Sequence, residues 1–185
     1  AEASPRDFIK LVLNNIGTES ESTTMLTLLR QLITAGNMFV AEEHRAETLR
    51  EIGAGLLKLA REAEAGSDAQ LQFTKFFAQF ATGSDQLDAL AAILNGDEQL
   101  AGLAIDADLR WELLTGLAVG GRVEKTRLDD ELASDNTSNG QRAHAAAVAA
   151  IPTAEAKTAA WHQLTETNEL SNVLVNAASL GFVRT

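Results

Sequence analysis

The sequence predicts an all-α protein. Ala and Leu, both strong helix formers, dominate the composition. Tyr is absent, Val and Ile are sparse, and the strict apolar–polar alternation that is typical of strands is hard to find. Ser, Thr or Asp precedes most apolar segments and Gly follows them, which is the usual punctuation of helices. These observations together predict about ten helices in the 185 residues.

The helices recur at a regular rhythm of about one per 18 residues. Two consecutive helices open on the same tripeptide, Gly66-Ser67-Asp68 and Gly83-Ser84-Asp85. Stacked helical hairpins produce such a rhythm, because each hairpin buries its apolar stripe against its neighbours. The tetratricopeptide and ankyrin signatures are absent. We therefore expect antiparallel hairpins stacked as an irregular HEAT-like αα-superhelix in one domain, 1–185, with a compact helical bundle as the alternative.

Five helices are predicted in the first half of the chain. Ser4-Pro5 combines an N-cap with proline at the first helical position, where the missing N–H costs nothing. Ser67 and Gln70 have the spacing of a capping box, in which the Gln70 side chain reaches back to the cap backbone. In the second helix the apolar stripe ends with Gly36, Phe39 and Val40. The predicted ranges are about 4–16, 22–40, 41–65, 67–80 and 84–95.

Five more helices are predicted in the second half. Asp106 or Asp108 caps the first of them, and Gly120-Gly121 ends it. The polar segment 135–140 is predicted to be a turn between helices, with Gly140 providing a positive φ. The predicted ranges are about 108–119, 123–134, 141–150, 153–165 and 169–180.

The bulky side chains are predicted to be packing residues. Four phenylalanines follow one another at helical spacing, which places them on one stripe of the core: Phe73, Phe76, Phe77 and Phe80. Trp111 and Trp161 are expected to be core or groove anchors. Gly53-Ala54-Gly55 lies inside a helical pattern and not after a strand, so we expect close helix packing there and not dinucleotide binding.

Composition and charge exclude several classes of protein. The formal net charge of −11 argues against nucleic acid and against an anionic membrane surface as partners. The longest unbroken apolar run, 145–151, is far shorter than the roughly 20 residues that span a bilayer. Residues 1–5 have neither the basic nor the apolar region of a signal peptide, so we expect a cytoplasmic protein. The absence of Cys excludes disulfides, a thiol nucleophile and Cys-ligated zinc.

The search for catalytic or metal-binding residues gives no site. His44, His144 and His162 lie far apart on different predicted helices, whereas zinc needs three protein ligands. The segment 135–140 resembles half of a calcium loop, but position twelve would be an alanine where a bidentate Glu is needed. The three consecutive carboxylates 129–131 splay apart on a helix, so we expect them to be solvated. We predict no catalytic residue, no metal ligand and no cofactor in this chain.

Several segments, in this order, resemble a known family. The segments are 28–32 leading to 44–45, then 106–122, 128–135, 152–161, 169–172 and 181–182. They are similar to the C-terminal α-helical domain of bacterial aminopeptidase N, a zinc-dependent gluzincin aminopeptidase. The similarity covers nearly the whole chain, and the order and spacing of the segments carry it more than any single motif does.

The resemblance implies that catalysis takes place in another domain and that this chain has a non-catalytic role beside it. It implies a larger hydrolase, a metallopeptidase whose catalytic zinc and general-base Glu lie in another domain. The partners it implies are the catalytic and N-terminal domains of the same polypeptide, together with peptide substrates. This helical domain would form a lid or wall of the substrate chamber. The family can present basic side chains there to a peptide carboxylate, for which Arg110, Arg122 and Arg142 are candidates, with ordinary surface or ion-pair roles as the alternative.

Two further expectations follow from the sequence. A free-standing helical-repeat scaffold that binds a protein partner is the alternative function, since the same helix rhythm would support it. In the family the domain usually continues past the position of Gly181-Phe182, so we expect a fragment of a longer domain. A shortened array would expose an apolar face at its last helix, which could drive dimerisation.

Overall fold

The computed structural model describes residues 4–184 and confirms the all-α fold. Residues 1–3, which entered the signal-peptide argument, and Thr185 lie outside the described residues. Ten α-helices and no β-strand occur within 4–184. No helix of this part of the chain has both the length and the apolar character needed to cross a membrane. The helices are α1 Pro5–Asn15, α2 Ser22–Thr34, α3 Glu42–Glu62, α4 Asp68–Phe80, α5 Gly83–Asn95, α6 Ala107–Val119, α7 Lys125–Ser134, α8 Ser138–Ala150, α9 Ala154–Thr165 and α10 Asn172–Phe182.

The helix starts follow the predicted capping chemistry. The Ser4 hydroxyl accepts a hydrogen bond from the Asp7 N–H, the Asp7 carboxylate accepts one from the Ser4 N–H, and Pro5 is the first helical residue. At α4 the Ser67 hydroxyl accepts from the Gln70 N–H. The Gln70 side chain accepts from the N–H of Gly66 and not from that of Ser67, so the reciprocal bond falls one residue earlier than predicted.

The predicted helix 22–40 contains a change of helix type. It is α-helical to Thr34 and continues as a π-helical turn over Ala35–Phe39, where the N–H of Val40 donates to the carbonyl of Ala35, five residues back, at 3.2 Å. The wider turn shifts the phase of the helix. Val40 is buried as predicted, but the prediction that Phe39 points inward is wrong, because its side chain is 65% exposed.

The prediction for Gly140 is also wrong. Its φ is not positive; it lies in the first turn of α8, which begins at Ser138 and is capped by the Thr137 hydroxyl. Glycine is required there for a different reason. A Cβ on Gly140 would overlap the backbone carbonyl of Asp135, so the start of α8 can approach the end of α7 only without a side chain.

The chain divides into two compact units. Among the described residues, the first comprises those up to Ala89 together with Gly96–Ala104, and the second comprises Leu90–Asn95 and those from Ile105 onward, so that α5 contributes to both. The prediction of one domain over 1–185 stays a prediction. The core of the first unit contains the predicted phenylalanine stripe on α4: Phe73, Phe76, Phe77 and Phe80 are each at most 7% exposed.

The second unit is organised around the alanine-rich helix α8, which packs against α6, α7, α9 and α10. Trp111 is buried in this unit, as predicted, but Trp161 is 55% exposed, so it is not a core residue. The Lys157 ammonium donates hydrogen bonds to the carbonyls of Ala149 and Phe182, at 2.9 and 2.8 Å, and so joins the ends of α8 and α10. Burial lowers the pKa of Lys157.

The pair Gly53 and Gly55 on α3 confirms the expectation of close packing. A Cβ on Gly53 would lie 2.5 Å from the Gln86 Oε1 atom and 3.1 Å from the Phe80 carbonyl oxygen. Gln86 is 4% exposed and bridges two backbones, since its Oε1 accepts from the Thr82 N–H and its Nε2 donates to the Arg50 carbonyl. A Cβ on Gly55 would have as its three nearest atoms the end of the flexible Leu13 side chain, at 3.0 to 3.4 Å.

Replacement of Gly53 by alanine should lower the free energy of unfolding by about 1 to 2 kcal/mol, because the new methyl group displaces the bridging Gln86 amide. The matched change Gly55→Ala should be close to neutral, since the Leu13 side chain can move and alanine favours the helix by about 1 kcal/mol. Urea denaturation of both variants provides the measurement. Equal losses at the two positions would contradict this account of Gly53.

Candidate functional site

The densest polar cluster of the second unit lies where α6, α7 and α8 meet. At its centre the Arg110 guanidinium forms two parallel hydrogen bonds to the Glu131 carboxylate, each 2.7 Å long, through Nε and Nη2. Arg127, one turn before Glu131 on α7, adds a third contact at 3.1 Å. The Glu131 side chain is only 7% exposed, while the two arginine side chains are 33% and 39% exposed.

This ion pair corrects the expectation that carboxylates 129–131 are all solvated. The charge-assisted hydrogen bonds from Arg110 lower the pKa of Glu131, and the nearby charge of Arg110 and the contact with Arg127 act in the same direction. The same pairing raises the pKa of Arg110. Glu131 is therefore ionised at neutral pH, and the cluster of one carboxylate and two guanidiniums carries a net charge of +1.

A second pair of contacts extends the cluster toward α8. The Trp111 indole N–H donates to Asp135 Oδ2 at 2.9 Å, and the Thr137 hydroxyl donates to Asp135 Oδ1, also at 2.9 Å. Thr137 is itself the N-cap of α8. Asp135 thus links the buried indole of α6 to the first turn of α8. Its carboxylate oxygens are occupied by protein donors and not arranged around a cation.

Asp129 forms the third part of the cluster. It accepts hydrogen bonds from the Lys125 ammonium at 2.7 Å and lies 2.8 Å from His144 Nε2 on α8. These partners, Lys125 first and His144 second, lower the pKa of Asp129. The His144 ring also meets the Trp111 ring edge-on, with 6.3 Å between centroids.

An open pocket of about 470 Å³ lies beside this cluster, at the N-terminal ends of α6 and α8. Its lining residues include Asp106, Asp108, Asp135 and Asn139. Four of the lining residues, 135 and 137–139, belong to the segment 135–140 that resembles half of a calcium loop. Across 4–184, no three His, Asp or Glu side chains converge as metal ligands would.

The three histidines have separate surroundings. His144 contacts Asp129, His44 lies 3.6 Å from Glu43, and His162 lies 3.4 Å from Glu166. The last two histidines are largely exposed on α3 and α9. Each histidine therefore pairs with its own carboxylate, and no two of them share a site.

The three candidate arginines do not form one binding site. Arg110 is committed to Glu131 in the first turn of α6, and Arg122 follows the opposite end of that helix, where its N–H donates to the Leu117 carbonyl at 2.8 Å. The nine residues from Arg110 to the end of α6 correspond to about 13 Å along the helix. Arg142, on α8, is exposed and hydrogen-bonds the Asn139 side chain.

Sequence reasoning singled out Arg110 and Trp111 but missed the partners that build this cluster around them. Glu131 and Asp135 both pair with α6 residues more than 20 positions away, which no local pattern reveals. The cluster fixes α6, α7 and α8 against one another, and it leaves the outer N–H groups of Arg110 and Arg127 at the surface. Such an arrangement can hold three helices rigidly together, and its three carboxylates, Glu131, Asp135 and Asp129, balance the charges of Arg110, Arg127 and Lys125. It does not combine a nucleophile with a base.

Two comparisons with known proteins are informative. The family model described as "ERAP1-like C-terminal domain" matches residues 1–185. The chain is 39% identical, over all of its 185 residues, to a protein of Streptomyces lividans named Aminopeptidase N. The chain spans 22% of the length of that relative.

Proposed function

Because the chain belongs to the family of ERAP1-like C-terminal domains, we propose that it forms the non-catalytic lid or wall of the substrate chamber in a zinc-dependent aminopeptidase. The enzyme would remove N-terminal amino acids from peptides. The observation that supports this proposal most directly is the match over all 185 residues to about a fifth of a much longer aminopeptidase. The lack of a convergent ligand group within 4–184 supports placing zinc in another domain.

The hydrogen bonds of the polar cluster support a structural role in the wall of the chamber more than a role in catalysis. The bidentate Arg110–Glu131 pair and the Trp111–Asp135 bond join three helices through well-directed hydrogen bonds. A rigid wall can exclude large substrates and hold a bound peptide in place. The partners we propose are the catalytic and N-terminal domains of the same polypeptide, together with peptide substrates, and the location we propose is the cytoplasm.

The proposed contacts with substrate or neighbouring domains are Arg110, Arg122 and Arg142. Arg122 and Arg142 are exposed and can each offer charge-assisted hydrogen bonds to a peptide carboxylate. Arg110 is already bound to Glu131, so we propose that it acts mainly by positioning α7 and offers only its outer N–H group. Since Arg110 and Arg122 lie at opposite ends of α6, one carboxylate would engage one of them at a time.

A peptidase assay tests this function. The 185-residue chain with added zinc should not hydrolyse a fluorogenic amino-acid amide, whereas the longer polypeptide encoded by the same gene should. In the longer polypeptide, Arg142→Ala or Arg122→Ala should raise the KM for a peptide by about tenfold, because one charge-assisted hydrogen bond is lost. The KM for the amide, which has no C-terminal carboxylate, should not change.

Arg30→Ala is the matched control, because Arg30 is an exposed arginine on α2 in the first unit. It should leave both KM values unchanged. Turnover by the 185-residue chain alone would refute the non-catalytic role. A longer polypeptide without aminopeptidase activity would refute the enzyme assignment and favour a role in binding a protein partner. Unchanged peptide KM values in both arginine variants would refute the proposed contacts.

A further inference from the structure

The dipeptide Asn-Gly occurs twice in the chain, at Asn95-Gly96 and at Asn139-Gly140. In this dipeptide an asparagine side chain reacts readily with its own backbone, because glycine places no side chain beside the attacking nitrogen. The reaction closes a cyclic imide and releases ammonia. Since the two dipeptides are identical, any difference between their rates in the folded protein comes mainly from the fold around them.

Asn95-Gly96 lies in an open part of the structure. Asn95 is the last residue of α5, and both residues are exposed. Gly96 has a φ of +81°, the left-handed conformation in which glycine commonly ends a helix, and a Cβ placed on it would meet no atom within 4 Å. Among residues 4–184, the Asn95 carboxamide has no hydrogen-bond partner. The side chain can therefore turn toward the Gly96 nitrogen without displacing a packed group.

Asn139-Gly140 lies in a closed part of the structure. Both residues belong to the first turn of α8, and Gly140 is buried. The Gly140 N–H donates to the Thr137 hydroxyl at 3.0 Å, so the nitrogen that would attack is already engaged. The Asn139 carboxamide accepts a hydrogen bond from Arg142. Closure of the imide at this position therefore requires the first turn of α8 to open.

We propose that Asn95-Gly96 is a site of spontaneous deamidation and isomerisation in the folded protein, and that Asn139-Gly140 is protected from the same reaction. The Gly96 nitrogen loses its proton to a base in solution and bonds to the Asn95 Cγ atom, and the carboxamide nitrogen leaves as ammonia. One water molecule then opens the imide. Cleavage of the new C–N bond leaves an aspartyl residue, and cleavage of the original C–N bond leaves an isoaspartyl residue whose main chain runs through Cβ and Cγ.

Both products should weaken the structure that follows α5. The new carboxylate lies at the C-terminal end of the helix, where the helix dipole disfavours negative charge. The isoaspartyl form also lengthens the main chain just before a segment that is fixed in place. Arg61 donates to the Glu98 carboxylate of that segment at 2.7 and 2.9 Å, and a Cβ on Gly102 would lie 2.7 Å from the Gly66 nitrogen. The modified protein should therefore unfold at a lower urea concentration.

Incubation at mildly alkaline pH, of both the 185-residue chain and the longer polypeptide, tests the proposal. Peptide mapping by mass spectrometry measures deamidation at each position, and an isoaspartyl methyltransferase is the probe for isoaspartyl residues. In both folded proteins, position 95 should react at least about tenfold faster than position 139, because Asn139 reacts only when α8 opens. In concentrated urea the two positions should react at similar rates, since the hydrogen bonds around Asn139 are then lost.

Two variants provide the controls. Asn95→Gln should abolish the reaction at position 95, because a glutamine must close a larger ring, and should leave position 139 unchanged. Thr137→Val removes the hydroxyl that engages the Gly140 N–H, so it should raise the rate at position 139 and leave position 95 unchanged. Far-UV circular dichroism should show that both variants keep their helical content.

Three results would overturn the proposal. Equal rates at the two positions in the folded chain would overturn the protection by α8. A position 95 that reacts in urea but not in the folded chain would overturn the assignment of the site. Protection of position 95 in the longer polypeptide alone would overturn the proposal for the complete protein. None of these results bears on the proposed enzymatic function, on which this inference does not depend.

Discussion

Replacement of Phe77 by alanine is expected to lower the free energy of unfolding by about 4 kcal/mol. Phe77 is 0% exposed at the centre of the α4 stripe and is accompanied there by three further buried phenylalanines. The loss combines the transfer of a large apolar group to water with the cavity that remains, because a close-packed core cannot collapse fully around the gap. Urea denaturation followed by far-UV circular dichroism measures it.

Phe39→Ala is the matched control, because Phe39 is in the same unit but is 65% exposed. Its replacement should change the free energy of unfolding by no more than about 0.5 kcal/mol. Because both variants replace Phe by Ala, the difference between their free energies of unfolding reports the effect of burial alone. Similar losses for the two variants would contradict the placement of Phe39 outside the core and of Phe77 within it.

Replacement of Arg110 by methionine should lower the free energy of unfolding by about 2 to 3 kcal/mol at neutral pH. Removing one partner of a buried ion pair leaves the other charge in a poorly solvated place. Glu131 would keep only its contact with Arg127, at 3.1 Å and with a more exposed partner. Urea denaturation followed by tryptophan fluorescence, to which the buried Trp111 beside Arg110 and the exposed Trp161 both contribute, measures this effect.

The pH dependence of the Arg110→Met loss has a defined sign. Since the pKa of Glu131 is lowered in the folded state, the pair stabilises the fold fully above the ordinary pKa of a glutamate, about 4.3. That stabilisation is lost as the pH falls through the lowered folded value. The difference between wild type and Arg110→Met should therefore be constant near neutrality and shrink below about pH 4.

Arg50→Met provides the control for this experiment. Arg50 pairs with Asp85 at 2.8 Å, but both side chains are more than half exposed. A solvated pair of this kind contributes about 0.5 kcal/mol or less. If Arg50→Met lowered the free energy of unfolding as much as Arg110→Met, burial would not be the reason that the Arg110–Glu131 pair is strong. A pH-independent loss in Arg110→Met would contradict the role of Glu131.

Helix positions were predictable because their signals are local. Ser4, Ser67 and Thr153 each cap a helix within three residues of the N–H that they bind, so the sequence carries the whole interaction. The phenylalanine stripe was predictable for a related reason. Residues three and four positions apart share a face of any α-helix, and four large apolar side chains on one face are most stable when buried together.

The polar cluster was not predictable in the same way. Arg110 and Glu131 are 21 residues apart, and nothing in the sequence near either one distinguishes this pair from the exposed pairs of α3 and α5. Trp161 shows a second limit. An indole usually lies in a core, and its exposure depends on which face of α9 packs on α8 and α10, a tertiary choice that the alanine-rich sequence of α9 does not encode.

The π-helical turn Ala35–Phe39 has a consequence for how the chain tolerates changes in length. A turn closed by a bond five residues back contains one residue more than an α-helical turn. Deletion of Asn37 could therefore be absorbed locally by conversion to an ordinary α-turn, with no break in the backbone hydrogen bonds. The same deletion inside α3 or α4 would rotate every following side chain by about 100° out of the core. Single-residue gains and losses among relatives should therefore concentrate at this turn.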